Sequence, residues 1–122
     1  LIVRHEPMLG DTTDVGQHPE FAARKTTRLV DGVSVTDWFA SDFTLEEIRQ
    51  LRAVQPRAER DQQFDGQFVI PTFEEVIALA KGAARTVGLY PEIKHSTFHA
   101  ALFGAHHIED SVLAILHAHY DN

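Results

Sequence analysis

The chain has 122 residues, 43% of them hydrophobic and 24% charged, with a formal net charge of −7 and no cysteine. That is enough for one domain with a modest core, and it excludes a disulfide framework or a thiolate metal site. The acidic balance argues against general nucleic-acid binding, which needs a basic face, and no apolar run approaches the roughly 18 residues of a membrane-spanning helix.

"LIVRH", Leu1 to His5, reads as a short apolar strand. "PMLGDTTDV" is loop, because Pro7, Gly10, Asp11 and Asp14 favour turns. "HPEFAARKTT" suits a short helix, with Pro19 in its first turn and Glu20 near the positive end of the dipole. "VSVTDWFA" is β-prone. "TLEEIRQLRA" predicts a helix opened by a Thr44–Glu47 capping box, with Leu45, Ile48 and Leu51 on one face and Pro56 as its stop.

A polar stretch follows, with a tight turn expected at Asp65-Gly66. "TFEEVIALAKGAARTVG" predicts a second helix with a Thr72–Glu75 capping box. Its buried stripe is Phe73, Val76, Ile77 and Ala80, and Gly88 is its stop. "LYPEIK" reads as a strand and "IEDSVLAILHAHY" as the last helix, with "DN" a turn. The order helix, strand, loop, helix implies an α/β fold with a parallel sheet. So few short elements cannot close such a sheet, so the chain reads as a slice of a larger α/β domain.

Two predicted strands end on charged groups: Arg4, His5 and Glu6 on the first, Glu92 and Lys94 on the second. In α/β folds, ligands gather beyond the carboxyl ends of parallel strands. Period-2 alternation points Glu92 and Lys94 to the same side, where a carboxylate suits a metal and an ammonium a phosphate. A simple ion pair is the plainer alternative. His5 has a pKa range suited to general acid or base work; a hydrogen-bonded structural histidine is its alternative.

The chain carries eight histidines. His95 and His99 have the spacing of two zinc ligands on a helix, but "HSTFH" lacks the adjacent glutamate of a zinc protease, and Ser96 and Thr97 are poor helix formers. His117 and His119 sit near a helix end, where the dipole favours a partly charged imidazole. No nucleophile elbow or phosphate-cradling glycine loop occurs.

"HEPMLGDTTDV", "ASDFTLEEIRQLRA", "FDGQFVIPTFEEVIALA" and "GLYPEIKHSTFH" resemble successive segments of the bacterial, periplasmic-type glycerophosphodiester phosphodiesterases. They stand in the family's order, and the resemblance covers essentially the whole chain. It implies an α/β fold that is a partial TIM (β/α)8 barrel carrying part of the family's small insertion. Residues from about 11 to 67 would be insertion and borders, and 68–122 barrel segments. It implies hydrolysis of glycerophosphodiesters, such as glycerophosphocholine, to an alcohol and glycerol 3-phosphate. The cofactor implied is a divalent metal, Ca²⁺ or Mg²⁺, held by three carboxylates, with two histidines as acid and base.

By the same resemblance His5 is the second catalytic histidine, Glu92 a metal ligand and Lys94 the phosphate contact. The metal would neutralise phosphate oxygens and lower the pKa of the attacking hydroxyl. Where the family commonly has Asp after the histidine, this chain has Glu6. The first catalytic histidine, in an H-R-G segment, and the Glu-x-Asp pair with the other metal ligands would lie upstream of Leu1. An internal piece of a larger enzyme is therefore expected, inactive and weakly metal-binding alone, from a periplasmic or secreted parent. Other readings are a non-catalytic histidine-rich metal-binding module, or an interaction domain. The expected partner is a small-molecule substrate, and the sequence is silent on oligomeric state.

Overall fold

The computed structural model describes residues 1–120, so the turn expected at Asp121–Asn122 lies outside the described residues. The chain forms two compact units, one of Arg4–Ile70 and one of Leu1–Val3 together with the chain from Pro71 onward.

The first unit is built around a β-hairpin. Strands β1 (Thr26–Val30) and β2 (Val33–Asp37) pair antiparallel, with Val30 opposite Val33. The connection is Asp31-Gly32, with φ of 49° and 82°. Two left-handed residues between paired strands make the two-residue turn whose twist matches the hairpin, and Asp-Gly is its preferred pair. The expected strand in "VSVTDWFA" is β2. Its partner β1 takes up the end of "HPEFAARKTT", whose helical part is a 3-10 segment, Pro19–Arg24.

Leu9, Val15, Phe39 and Leu51 are completely buried here, with Phe21, Val30, Ile48 and Ile70 nearly so. Burying each such side chain contributes about 1.5–3 kcal/mol. Thr13 is the polar exception. Its hydroxyl donates to the Leu9 carbonyl at 2.7 Å and accepts the Val15 N–H at 3.2 Å, so it carries no unsatisfied group into the core.

Helix α1 spans only Leu45–Ile48. The Thr44–Glu47 capping box is formed, but the helix does not run on to Pro56. The Arg52 guanidinium donates to the carbonyls of Arg49, Gln50 and Leu51 at 3.0–3.1 Å, satisfying acceptors that the helix end leaves open. Leu51 turns into the core, whereas Leu45 stays 53% exposed.

In the second unit, α2 (Phe73–Lys81) opens on its Thr72–Glu75 capping box and stops at Gly82, not Gly88. Phe73 and Ile77 are buried and Val76 and Ala80 half-buried, as the stripe predicts. Helix α3 (Ser96–Phe103) begins after His95, whose φ of 54° is left-handed. Ser96 and Thr97 occupy its first turn, where such residues are tolerated. Helix α4 (His107–Tyr120) packs on α3 and α2.

The expected strand Leu1–His5 contracts to a single antiparallel bridge, Ile2 with Thr72. It is secured by the Val3 N–H on the Pro71 carbonyl at 2.9 Å and the Phe73 N–H on the Leu1 carbonyl at 3.0 Å. "LYPEIK" finds no ladder partner and stays irregular. Among the described residues the only named sheet is the antiparallel β1–β2 hairpin, and the expected parallel pairing is not formed there. A strand is defined by a hydrogen-bonded neighbour, which apolar sequence alone does not supply.

Candidate active site

His5 opens the loop that follows the Ile2 bridge. Its Nδ1 hydrogen-bonds the neighbouring Glu6 carboxylate. A carboxylate only accepts, so Nδ1 carries the hydrogen and Nε2 is left for proton exchange. The His5 side chain is 67% exposed, open to a ligand. The methylene that Glu6 adds over Asp does not stop its carboxylate reaching the ring.

The loop is held from below by Arg4. Its Nε donates to the Glu6 carbonyl at 2.7 Å, and its Nη2 to the Met8 carbonyl at 2.5 Å and the Thr12 hydroxyl at 2.7 Å. Burial pushes the Arg4 guanidinium below its usual range, while Glu6 and Asp37 oppose that shift. It remains charged at any physiological pH. Asp37, at the end of β2, accepts the Gly10 N–H at 2.9 Å and the Trp38 N–H at 2.6 Å. Trp38 returns a bond to the loop, its carbonyl accepting the Leu9 N–H at 2.8 Å.

Glu92 and Lys94 lie in the other unit, on the irregular stretch before α3. The alternation brings them together: Lys94 Nζ is 3.2 Å from Glu92 Oε1. Glu92 is 70% exposed, and Lys94 is half as exposed, at 34%. The carboxylate keeps lone pairs and the ammonium keeps N–H donors beyond this contact, so the pair can receive a cation and an anion together.

His99 lies one turn into α3, edge-on to Phe98 at 5.3 Å and stacked on Phe103 at 6.4 Å. Its Nδ1 is buried and makes no hydrogen bond. Burial pushes the imidazole below its ordinary pKa, the neighbouring His95 adds to that, and Glu109 opposes it. Such a ring rests neutral among aromatics. Among the described residues no group of three or more His, Asp or Glu is placed to hold a metal.

Glu6 and Arg4 are the residues that strand-and-loop reasoning underweights. The triplet Arg-His-Glu carried the signal for Glu6, since a neighbouring carboxylate is the usual orienting group for a histidine. Arg4 had none, because its acceptors lie up to eight residues away.

The chain matches the "Glycerophosphoryl diester phosphodiesterase family" over residues 1–119. It is 51% identical over 98 residues to glycerophosphodiester phosphodiesterase GDPD6 of Arabidopsis thaliana, covering 80% of this chain and 26% of that protein. It is 31% identical over 114 residues to the glycerophosphodiester phosphodiesterase of Haemophilus influenzae, covering 81% of this chain and 29% of that protein. The chain therefore spans little more than a quarter of the length of these relatives. The family fold is TIM-barrel-like, and divalent-metal dependence is general in it. With the match running from the first residue through α4, the chain belongs to the glycerophosphoryl diester phosphodiesterase family.

Proposed function

We propose that the full-length protein hydrolyses glycerophosphodiesters to an alcohol and glycerol 3-phosphate, and that this chain supplies part of its active site. The observation that carries the reading is the family match over residues 1–119. His5 gives or takes a proton at the attacking or leaving oxygen through Nε2, with Glu6 holding the ring. Lys94 meets the charge that develops on the phosphate, and its contact to Glu92 keeps it in place.

Glu92 is a hard, largely exposed oxygen ligand, which fits Ca²⁺ or Mg²⁺. Such ions take about six or more oxygens, so Glu92 is one member of a larger set. When bound, the metal neutralises phosphate charge and lowers the pKa of the attacking hydroxyl. The chain alone is read as inactive. Arg4–Ile70, which carries the hairpin, corresponds in this reading to the family's insertion and its borders, and the residues after it to segments of a partial barrel. Its extent lies close to residues 11–67, and that supports the correspondence. A periplasmic or secreted location belongs to the same reading, on the resemblance of the four segments to exported bacterial members.

The test is release of glycerol 3-phosphate from glycerophosphocholine by the full-length protein, with and without Ca²⁺ or Mg²⁺. The expected result is metal-dependent turnover lost on His5→Ala and on Glu92→Ala. Full turnover in a chelator, or in either variant, would sink the reading.

A further inference from the structure

The Arg4 guanidinium turns back on the chain and spends its donors on the loop that His5 begins. It holds the Glu6 carbonyl, the Met8 carbonyl and the Thr12 hydroxyl, while Asp37 holds the Gly10 N–H between them. The residues on both sides of the imidazole are thus fixed: Arg4 packs half-buried before it, and Glu6 is gripped by its carbonyl after it. The Glu6 side chain is the group on His5 Nδ1, so its backbone placement sets the ring's direction.

Putting a guanidinium in such a place has a desolvation cost, visible as the downward push on Arg4. A lysine has one point of charge and cannot span acceptors at residues 6, 8 and 12, whereas a planar fork can.

We propose that Arg4 is a positioning residue for phosphodiester hydrolysis: its fork sets the backbone carrying His5 and Glu6, and so the direction in which His5 Nε2 presents its proton. The inference rests on the reading of His5 as the proton-transfer group. Arg4 itself touches neither substrate nor reacting atoms.

The experiment is steady-state kinetics of the full-length protein on glycerophosphocholine, comparing wild type with Arg4→Gln, Arg4→Lys and His5→Ala. A misplacement of about 1 Å costs on the order of 100-fold, so Arg4→Gln should lower kcat by about that factor with KM within about threefold. Arg4→Lys should behave like Arg4→Gln, because charge without the fork does not hold the loop. The limb of the pH–rate profile that belongs to His5 should also shift in both. A lowered melting temperature with kcat and pH profile unchanged overturns the inference and leaves Arg4 a purely structural residue.

If Arg4→Gln does not fold, Thr12→Val removes one acceptor and keeps the cation. It should lower kcat by about tenfold at unchanged KM, and an unchanged kcat overturns the inference. The two levels separate cleanly. His5→Ala with normal turnover ends the reading of His5 and the inference with it. His5→Ala inactive with Arg4→Gln fully active ends the inference alone.

Discussion

The Glu47 carboxylate is gripped by Arg24 through two parallel hydrogen bonds, Nη2 to Oε1 at 2.6 Å and Nη1 to Oε2 at 2.7 Å, while Oε2 also accepts the Thr44 N–H at 2.9 Å. One side chain therefore closes the capping box of α1 and ties that helix to the 3-10 segment ending at Arg24. Phe21 and Phe43 lie beside the same guanidinium, with ring centroids 5.1 and 5.0 Å from Arg24 Cζ.

Arg24 first, and the Thr44 backbone second, pull Glu47 from the ordinary 4.5 down to about 2. Between those values the unfolded chain binds a proton that the folded chain refuses, so stability rises with pH. The contribution is whole above about pH 4.5 and disappears as pH falls towards about 2. Melting curves of wild type and Glu47→Gln across that window should converge at the acid end. Parallel curves throughout would refute the assignment.

His99 predicts a second pH effect at a different place. Its pKa lies below the ordinary 6.5, chiefly through burial and then through His95. As pH falls below about 6.5 the unfolded chain takes up a proton that the folded one resists, so stability declines. His99→Leu should flatten the stability profile just below neutrality. An unaltered slope would show that another group titrates there.

Gly10→Ala tests the loop. A Cβ at this position would stand 2.8 Å from both Asp37 carboxylate oxygens, of which Oδ1 is held by the Gly10 and Trp38 N–H groups. Overpacking of this kind costs about 1–3 kcal/mol. Denaturant unfolding should show a lowered midpoint with an unchanged slope, and no loss would mean that Asp37 swings away freely.

Thr72→Ala removes the hydroxyl that accepts the Glu75 N–H at 3.2 Å. Loss of such an N-cap costs about 1 kcal/mol. The effect should be read as faster amide exchange in the first turn of α2, and unchanged exchange there would count against the capping box.

Glu92→Gln separates activity from stability. Exposed ion pairs contribute less than about 1 kcal/mol, and Glu92 is 70% exposed, so thermal stability should barely change. Metal-dependent turnover of the full-length protein should collapse. A variant that melts early and turns over normally would make the pair merely structural.

Both capping boxes were legible because a cap is a contract between residues three apart, Thr44 with Glu47 and Thr72 with Glu75. The Glu92–Lys94 pairing was legible for the same reason, since residues two apart on extended chain share a side. The Asp31-Gly32 turn was as plain in sequence as Asp65-Gly66, and reading it as a hairpin would have revealed β1.

Sequence by itself determined the capped starts of α1 and α2 and the family, and it named His5, Glu92 and Lys94 as candidates, but it left α3 unread. Tertiary structure alone decided where α1 ends, because the Arg52 backbone pairs with Asp14, its N–H on the Asp14 carboxylate at 2.8 Å and its carbonyl on the Asp14 N–H at 3.0 Å. It alone decided that Arg4 serves the His5 loop and that Glu47 answers Arg24. Local periodicity encodes which backbone a segment prefers. Which long side chain wins a distant acceptor depends on how the folded chain brings the two together, and that is settled only when the core closes.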